Sequence, residues 1–128
     1  KLVDNICAII VSGNSVIALV SSECPAIVTS LGEVFQTSDL PAGVVNLLSG
    51  DLEELASHVA THMEVKAISF QNEDKKMYHD IRSSSIDNMK RITGFKEKTE
   101  SLELILDFVE QKTVWHPIEL SDSAGGAY

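Results

Sequence analysis

The chain has 128 residues, of which 44% are hydrophobic, and a formal net charge of −9. That length allows one domain with one core, and the hydrophobic share excludes wholesale disorder. The acidity excludes nucleic acid and anionic membrane surfaces as partners, since both are polyanions that require a basic face. The apolar runs at residues 6–11 and 16–20 are separated by Ser12-Gly13-Asn14-Ser15. Neither reaches the ~20 residues of a membrane helix. Two cysteines, Cys7 and Cys24, lack the paired spacing of a disulfide framework, so the expectation is a reduced, cytoplasmic protein. The first residue is Lys1, with no secretory pattern behind it, and the chain reads as a piece of a longer one.

In chain order, residues 2–11 carry Ile6, Ile9 and Ile10 at helical spacing, with Gly13 as a C-terminal stop. Residues 15–20 are short, apolar and bounded by turn residues, the signature of a buried strand. Pro25 suits a first helical turn, and Ile27, Val28, Leu31, Val34 and Phe35 form one stripe behind it. Asp39-Leu40-Pro41-Ala42-Gly43 is a turn, followed by a buried strand at 44–48. Asp51 caps the next helix, whose acidic first turn, Glu53-Glu54, suits the positive helix end. Further strands are expected at 65–70 and, more weakly marked, at 89–93, with a helix at 73–81 between them. A helix over 101–111, a last strand over 113–118 and a flexible tail over 121–128 complete the chain. Strands alternating with helices predict an α/β fold, a parallel Rossmann-like sheet with helices on both faces. Residues 16–18, 45–47 and 67–69 are expected as adjacent central strands, buried on both sides.

Three segments occur in a telling order: Gly13-Asn14-Ser15-Val16-Ile17, then Leu40-Pro41-Ala42-Gly43-Val44-Val45-Asn46, then Ala67-Ile68-Ser69-Phe70. They resemble the cofactor-binding domain of the aldehyde dehydrogenases, in which G-N-T-V-V, L-P-x-G-V-V-N-x-x-x-G and I-S-F-T-G-S follow one another with helices between. Residues 1–120 are thus read as a remnant of that cofactor domain. The resemblance implies NAD(P) chemistry for the family, but the residues that would serve it have changed here. Where the family has the Lys and Glu of K-P-S-E, this chain has Leu19 and Ser22, and a leucine cannot make the charge-assisted hydrogen bond of a lysine. Ser21 keeps its place, as does Gly50 at the end of V-V-N-x-x-x-G; these two are the residual candidates for cofactor contact. Glu23 falls one place late, on the opposite face of a strand. In T-G-S-x-x-x-G both glycines are replaced, by Asn72 and Met77, although close approach of a phosphate needs them. Glu73 and Asp74 add negative charge at the same helix start, while Lys75 and Lys76 read as solvated surface residues. No bound cofactor and no metal are expected.

The family's catalysis requires a cysteine nucleophile, an Asn amide for the oxyanion and a Glu base. Cys7 is placed on the apolar side of the first helix, as a buried structural thiol. Cys24 lies in the K-P-S-E loop region, away from any nucleophile position. Arg91-Ile92-Thr93-Gly94 falls near the Glu strand, with Ile92 close to the position of the base, and Leu102-Glu103-Leu104 matches L-E-L only in letters. His58 and His62, with Glu54 one turn earlier, read as exposed polar positions on a helix rather than as metal ligands. His116 belongs to the expected last strand. The ending Trp115-His116-Pro117-Ile118 and the loop Ser21-Ser22-Glu23-Cys24-Pro25 look most like the truncated second module of aldehyde dehydrogenase family sixteen. The resemblance implies a non-catalytic module with an assembly role, whose partner is itself or an upstream aldehyde dehydrogenase module. The alternative is the cofactor-domain part of a working oxidoreductase. The surfaces expected to associate are Ile6 and Ile10 (with Ile9 and Val11) on the first helix, and Val114, Trp115 and Ile118 on the last strand.

Overall fold

A computed structural model describes residues 1–94 and 101–116 of the chain. Helix α1 (Leu2–Val11) leads to strand β1 (Val16–Ser21), α2 (Pro25–Thr37), β2 (Val45–Gly50), α3 (Leu52–Thr61), β3 (Ala67–Phe70) and α4 (Lys75–Ser84). A 3-10 turn (Ile86–Asn88), β4 (Arg91–Gly94) and the short α5 (Ser101–Leu106) follow. The stops and starts have local causes. Gly13, at φ +83°, ends α1, its N–H donating to Ile10 O at 3.0 Å. Gly43, also at φ +83°, takes the third position of a turn closed by Val44 N–H to Pro41 O. Pro25 opens α2. Asp51 and Asp74 cap α3 and α4, which moves the start of α4 two residues beyond the expected Glu73.

The strands form two parallel ladders. β1 pairs with β2 from Val16↔Val45 to Ser21↔Gly50, and β3 with β4 from Ala67↔Arg91 to Phe70↔Gly94. Each ladder has its own core. Ile6, Val16 and Ala18 are buried together, with Leu2, Ile9, Ile10, Phe35, Val45 and Leu47 around them, so α1 and α2 pack on β1/β2. Ala56, Ala60, Phe70 and Ile81 form the second cluster with Ile68, Met77, Tyr78 and Ile92, which joins α3 and α4 over β3/β4. Two side-chain hydrogen bonds tie the chain after α5 to both halves. Asn14 Nδ2 donates to Phe108 O at 2.9 Å and Arg91 Nη1 to Val109 O at 2.7 Å, while Phe108 itself is buried.

The parallel α/β class is as expected, but several details differ. β1 and β3 share no ladder, so the three central strands are not one continuous sheet. β1 is not buried on both faces: Val16, Ala18 and Val20 point inward, whereas Ile17 is 50% exposed. Ile6 is 1% exposed and therefore part of the core, not of an association surface; Ile10 is only half-buried and packs against the same cluster. Cys7 is exposed rather than buried. One residue along a helix turns ~100°, which carries Cys7 from the Ile6 face to the exposed stripe of Val3 and Val11. Helix α5 ends at Leu106 instead of Gln111: Phe108 N and Val109 N donate three residues back, to Ile105 O and Leu106 O, and the chain then leaves the helix. Residues 113–116 form no strand, and Val114 and Trp115 are exposed. Ile118 and the expected tail lie outside the described residues. Among the described residues, no helix is long and apolar enough to cross a membrane.

Candidate functional site

In a parallel α/β sheet, ligands meet the carboxyl ends of the strands, where helix N-termini present free N–H groups. Here β1 ends at Ser21, beside its ladder partner Gly50 at the end of β2. Ser21 is half-buried and its Oγ accepts from Glu23 N at 3.3 Å, so the hydroxyl serves the turn into α2. Ser22 is exposed on that turn. Gly50 is constrained by packing: a Cβ there would lie 3.1 Å from Leu55 Cδ1. The glycine lets α3 come close to the strand end.

The turn after β3 decides what this site can hold. Asn72 Oδ1 accepts from Asp74 N at 3.2 Å, drawing the turn in on itself. Asp74 Oδ1 in turn accepts from Lys76 N at 2.8 Å and Met77 N at 3.1 Å. Two of the N–H groups that the α4 terminus would offer an incoming anion, those of Lys76 and Met77, are therefore bound to a carboxylate of the same chain. Met77 is half-buried in the Ala56, Ala60, Phe70 and Ile81 cluster. Its side chain is a core contact, a role that reading it only as a missing glycine overlooked. Glu73, Lys75 and Lys76 are exposed.

Strands β1 and β3 both line a cleft of about 850 Å3. Val16 to Leu19 line one wall and Ala67 to Phe70 the other, with Leu52, Ala56 and Val59 of α3 beside them. Of the residues singled out in the sequence, Leu19, Asn72 and Met77 meet in this cleft, together with Ile6; Ser21, Ser22, Gly50, Ile10, Val114 and Trp115 do not. Cys7 opens onto a separate hollow with Ile10, Val11, Leu40, Pro41 and Val44, where no acid or base accompanies the thiol. Cys24 is exposed at the N-cap of α2. Ile92 of β4, near the expected position of a catalytic base, packs instead in the second core cluster. His58 and His62 are exposed, and His62 Nδ1 accepts from Glu64 N at 3.2 Å. Among the described residues no three His, Cys, Asp or Glu side chains group as metal ligands would.

Lys90 holds the opposite end of the second unit. Its ammonium donates to His62 O and, at 2.9 Å, to Val65 O, while Asn88 Nδ2 reaches Thr61 O at 2.8 Å. Burial lowers the Lys90 pKa and the neighbouring Lys66 charge lowers it further. This clamp fixes the α3–β3 connection and offers no reactive group to the cleft.

Comparison with known proteins bears on the same region. The chain matches the aldehyde dehydrogenase family over residues 2–94. It is 36% identical over 63 residues to 1-pyrroline-5-carboxylate dehydrogenase from Bacillus thuringiensis, and equally so to that from Bacillus cytotoxicus. The Bacillus mycoides protein of the same name is 35% identical over 63 residues. Each match covers 49% of this chain but only 12% of the relative. No solved structure matches the chain significantly. Since the family match takes in every described strand and α1 through α4, the chain belongs to the aldehyde dehydrogenase family.

Proposed function

We propose that this chain is a non-catalytic aldehyde dehydrogenase module that acts in assembly, associating with itself or with an upstream aldehyde dehydrogenase module. The family normally uses NAD(P), and the residues present here do not fit that group. The observation that carries the reading is Asp74, whose carboxylate occupies the N–H groups of Lys76 and Met77 at the α4 terminus. A pyrophosphate would have to displace this cap and then face both Asp74 and Glu73. Leu19 supplies no charge where the resemblance places a lysine, and Ser22 is turned out to solvent. Each lost charged or close contact typically costs ~1–3 kcal/mol, so several together move a micromolar site towards millimolar. Calorimetric titration with NAD and NADP is expected to give no binding tighter than about 100 μM. A tighter constant would overturn the reading.

The assembly role is supported by Val114 and Trp115, which are 66% and 91% exposed. Exposed apolar surface of this kind marks an interaction site when it forms a patch. Within the family, we assign the chain to the truncated second module of family sixteen, and its place to the cytoplasm. A second reading is favoured by the enzymes it resembles, of which it covers only an eighth. In that reading it is part of a working oxidoreductase, whose cysteine and base lie on other segments. Aldehyde-dependent NAD(P)H formation by the longest natural chain containing these residues separates the two; activity there would displace the non-catalytic reading.

A further inference from the structure

Lysine and arginine are spread unevenly along this acidic chain. Residues 2–65 contain neither. Lys66, the first cation after that stretch, stands directly before β3, and Lys90 and Arg91 stand at the start of β4, which pairs with it. Arg91 N–H donates to Lys66 O at 3.1 Å, so these two residues lie side by side across the ladder. Lys90 is near enough for the Lys66 charge to add to burial in lowering its pKa. Among the described residues none of the three is in a salt bridge. Lys66 Nζ donates to Met63 O at 3.2 Å and Arg91 Nη1 to Val109 O at 2.7 Å. Those partners are neutral carbonyls, and each side chain keeps further donors.

Lys66 and Arg91 also line the cleft shared by β1 and β3. Asn14 and Arg91 reach adjacent carbonyls, of Phe108 and Val109, which brings the amino ends of β1 and β4 to the same end of it. Glu64 lines that end too, but the two cations outnumber it. Beyond them the walls turn apolar, through Val16, Ala18 and Ala67 to Leu19, Leu52 and Phe70. Glu73 lines the cleft past Phe70, where β3 ends. A volume of about 850 Å3 falls within the ~300–1,000 Å3 of small-ligand sites. A chain of net charge −9 does not suit an extended anionic surface. Local cations beside an apolar cleft do suit a single anionic head with an apolar tail, because charges act within about a Debye length.

We propose that this cleft binds a free medium-chain carboxylate, with its head on Lys66 and Arg91 and its alkyl tail along β1 and β3 towards Leu19 and Phe70. The carboxylate accepts from the donors that Lys66 and Arg91 have left over. Glu73 sets the direction, since its charge repels the head from the other end. The tail takes apolar wall out of water. The site is separate from the turn capped by Asp74 and does not depend on the assembly reading above.

Calorimetric titration of the unmodified chain with sodium octanoate and sodium decanoate tests this without any variant. Decanoate is expected to bind up to about fifteenfold tighter than octanoate, from two further buried methylenes. Octanol, which has the tail but no charge, is expected to bind about tenfold more weakly than octanoate, the worth of two exposed ion pairs. Added salt should weaken octanoate and leave octanol unchanged. Lys66→Gln and Arg91→Gln should each weaken octanoate about threefold and spare octanol. If Arg91→Gln unfolds for want of its bond to Val109 O, the comparison of octanoate with octanol still decides. Methyl NMR locates the tail: decanoate is expected to shift Leu19, Ala67 and Ile68, and not the exposed Val114. No binding of decanoate at millimolar concentration would overturn the proposal. So would octanol binding as tightly as octanoate, or shifts confined to residues outside the cleft.

Discussion

Removing the Asp74 cap should destabilise the chain by an amount that separates hydrogen bonding from charge. Asp74 Oδ1 holds two N–H groups, at 2.8 and 3.1 Å, at the start of the ten-residue α4. Loss of such a cap to alanine costs about 1 kcal/mol, and loss of its charge from a helix N-terminus a further ~0.3–1 kcal/mol. Asp74→Ala is therefore expected to lose ~1–2 kcal/mol. Asp74→Asn keeps an acceptor oxygen and forfeits only the charge term, ~0.3–1 kcal/mol, a loss that shrinks with added salt. Urea unfolding followed by circular dichroism reads both: with a slope near ~1.5 kcal/mol/M, the alanine midpoint should fall by ~1 M. An alanine variant within ~0.3 kcal/mol of the parent would show that the cap does not hold α4. Equal losses for alanine and asparagine would show that charge, not the hydrogen bonds, is what matters there.

Other expected outcomes follow from packing and titration. Gly94→Ala would place a Cβ 3.0 Å from Tyr78 Cε2 and 3.1 Å from Phe70 O; the backbone oxygen cannot swing aside, so a loss of ~1–3 kcal/mol in urea unfolding is expected. Ile6→Ala should cost ~2–4 kcal/mol by the same measurement, while Trp115→Ala, at 91% exposure, should change monomer stability by less than ~0.5 kcal/mol. The Lys90 ammonium should titrate below its usual value near 10.5 in a side-chain NMR experiment, and Lys66→Gln should bring it part of the way back. The folded chain then holds that proton more weakly than the unfolded chain. Its stability should therefore rise with pH between the lowered Lys90 pKa and 10.5.

What could be read from the sequence is what local chemistry determines. The runs giving β1, β2 and β3 are apolar and bracketed by turn residues, and Asp51 stands directly before a helical pattern, so these elements lie within two residues of where they were expected. Cys7 was misplaced because a stripe built on Ile6, Ile9 and Ile10 leaves residue 7 a third of a turn away, and periodicity does not fix where the stripe ends. Residues 113–116 have strand composition, but composition names no partner, and ladder pairing is a non-local choice. That β1 and β3 share no ladder was hidden for the same reason. At the cofactor turn the missing glycines and added carboxylates were visible as letters. That Met77 completes a core depends on the packing of α3 against α4, whereas the Asp74 cap is local, made two and three residues along the chain.

Met77 ties the turn after β3 to the second core. A phosphate-binding version needs a residue without a side chain there, and the second core needs a side chain to fill the space beside Ala56, Ala60 and Phe70. One position cannot satisfy both. Glycine at 77 would leave a void in that cluster and also place the least favourable residue short of proline inside α4, at ~1 kcal/mol. A glycine-bearing turn in this chain thus comes with a less stable protein, unless Ala56 or Ala60 enlarges to take up the space. Once α3 and α4 close over a methionine, the turn after β3 is part of the second core, and a change made for the turn's sake is felt there first.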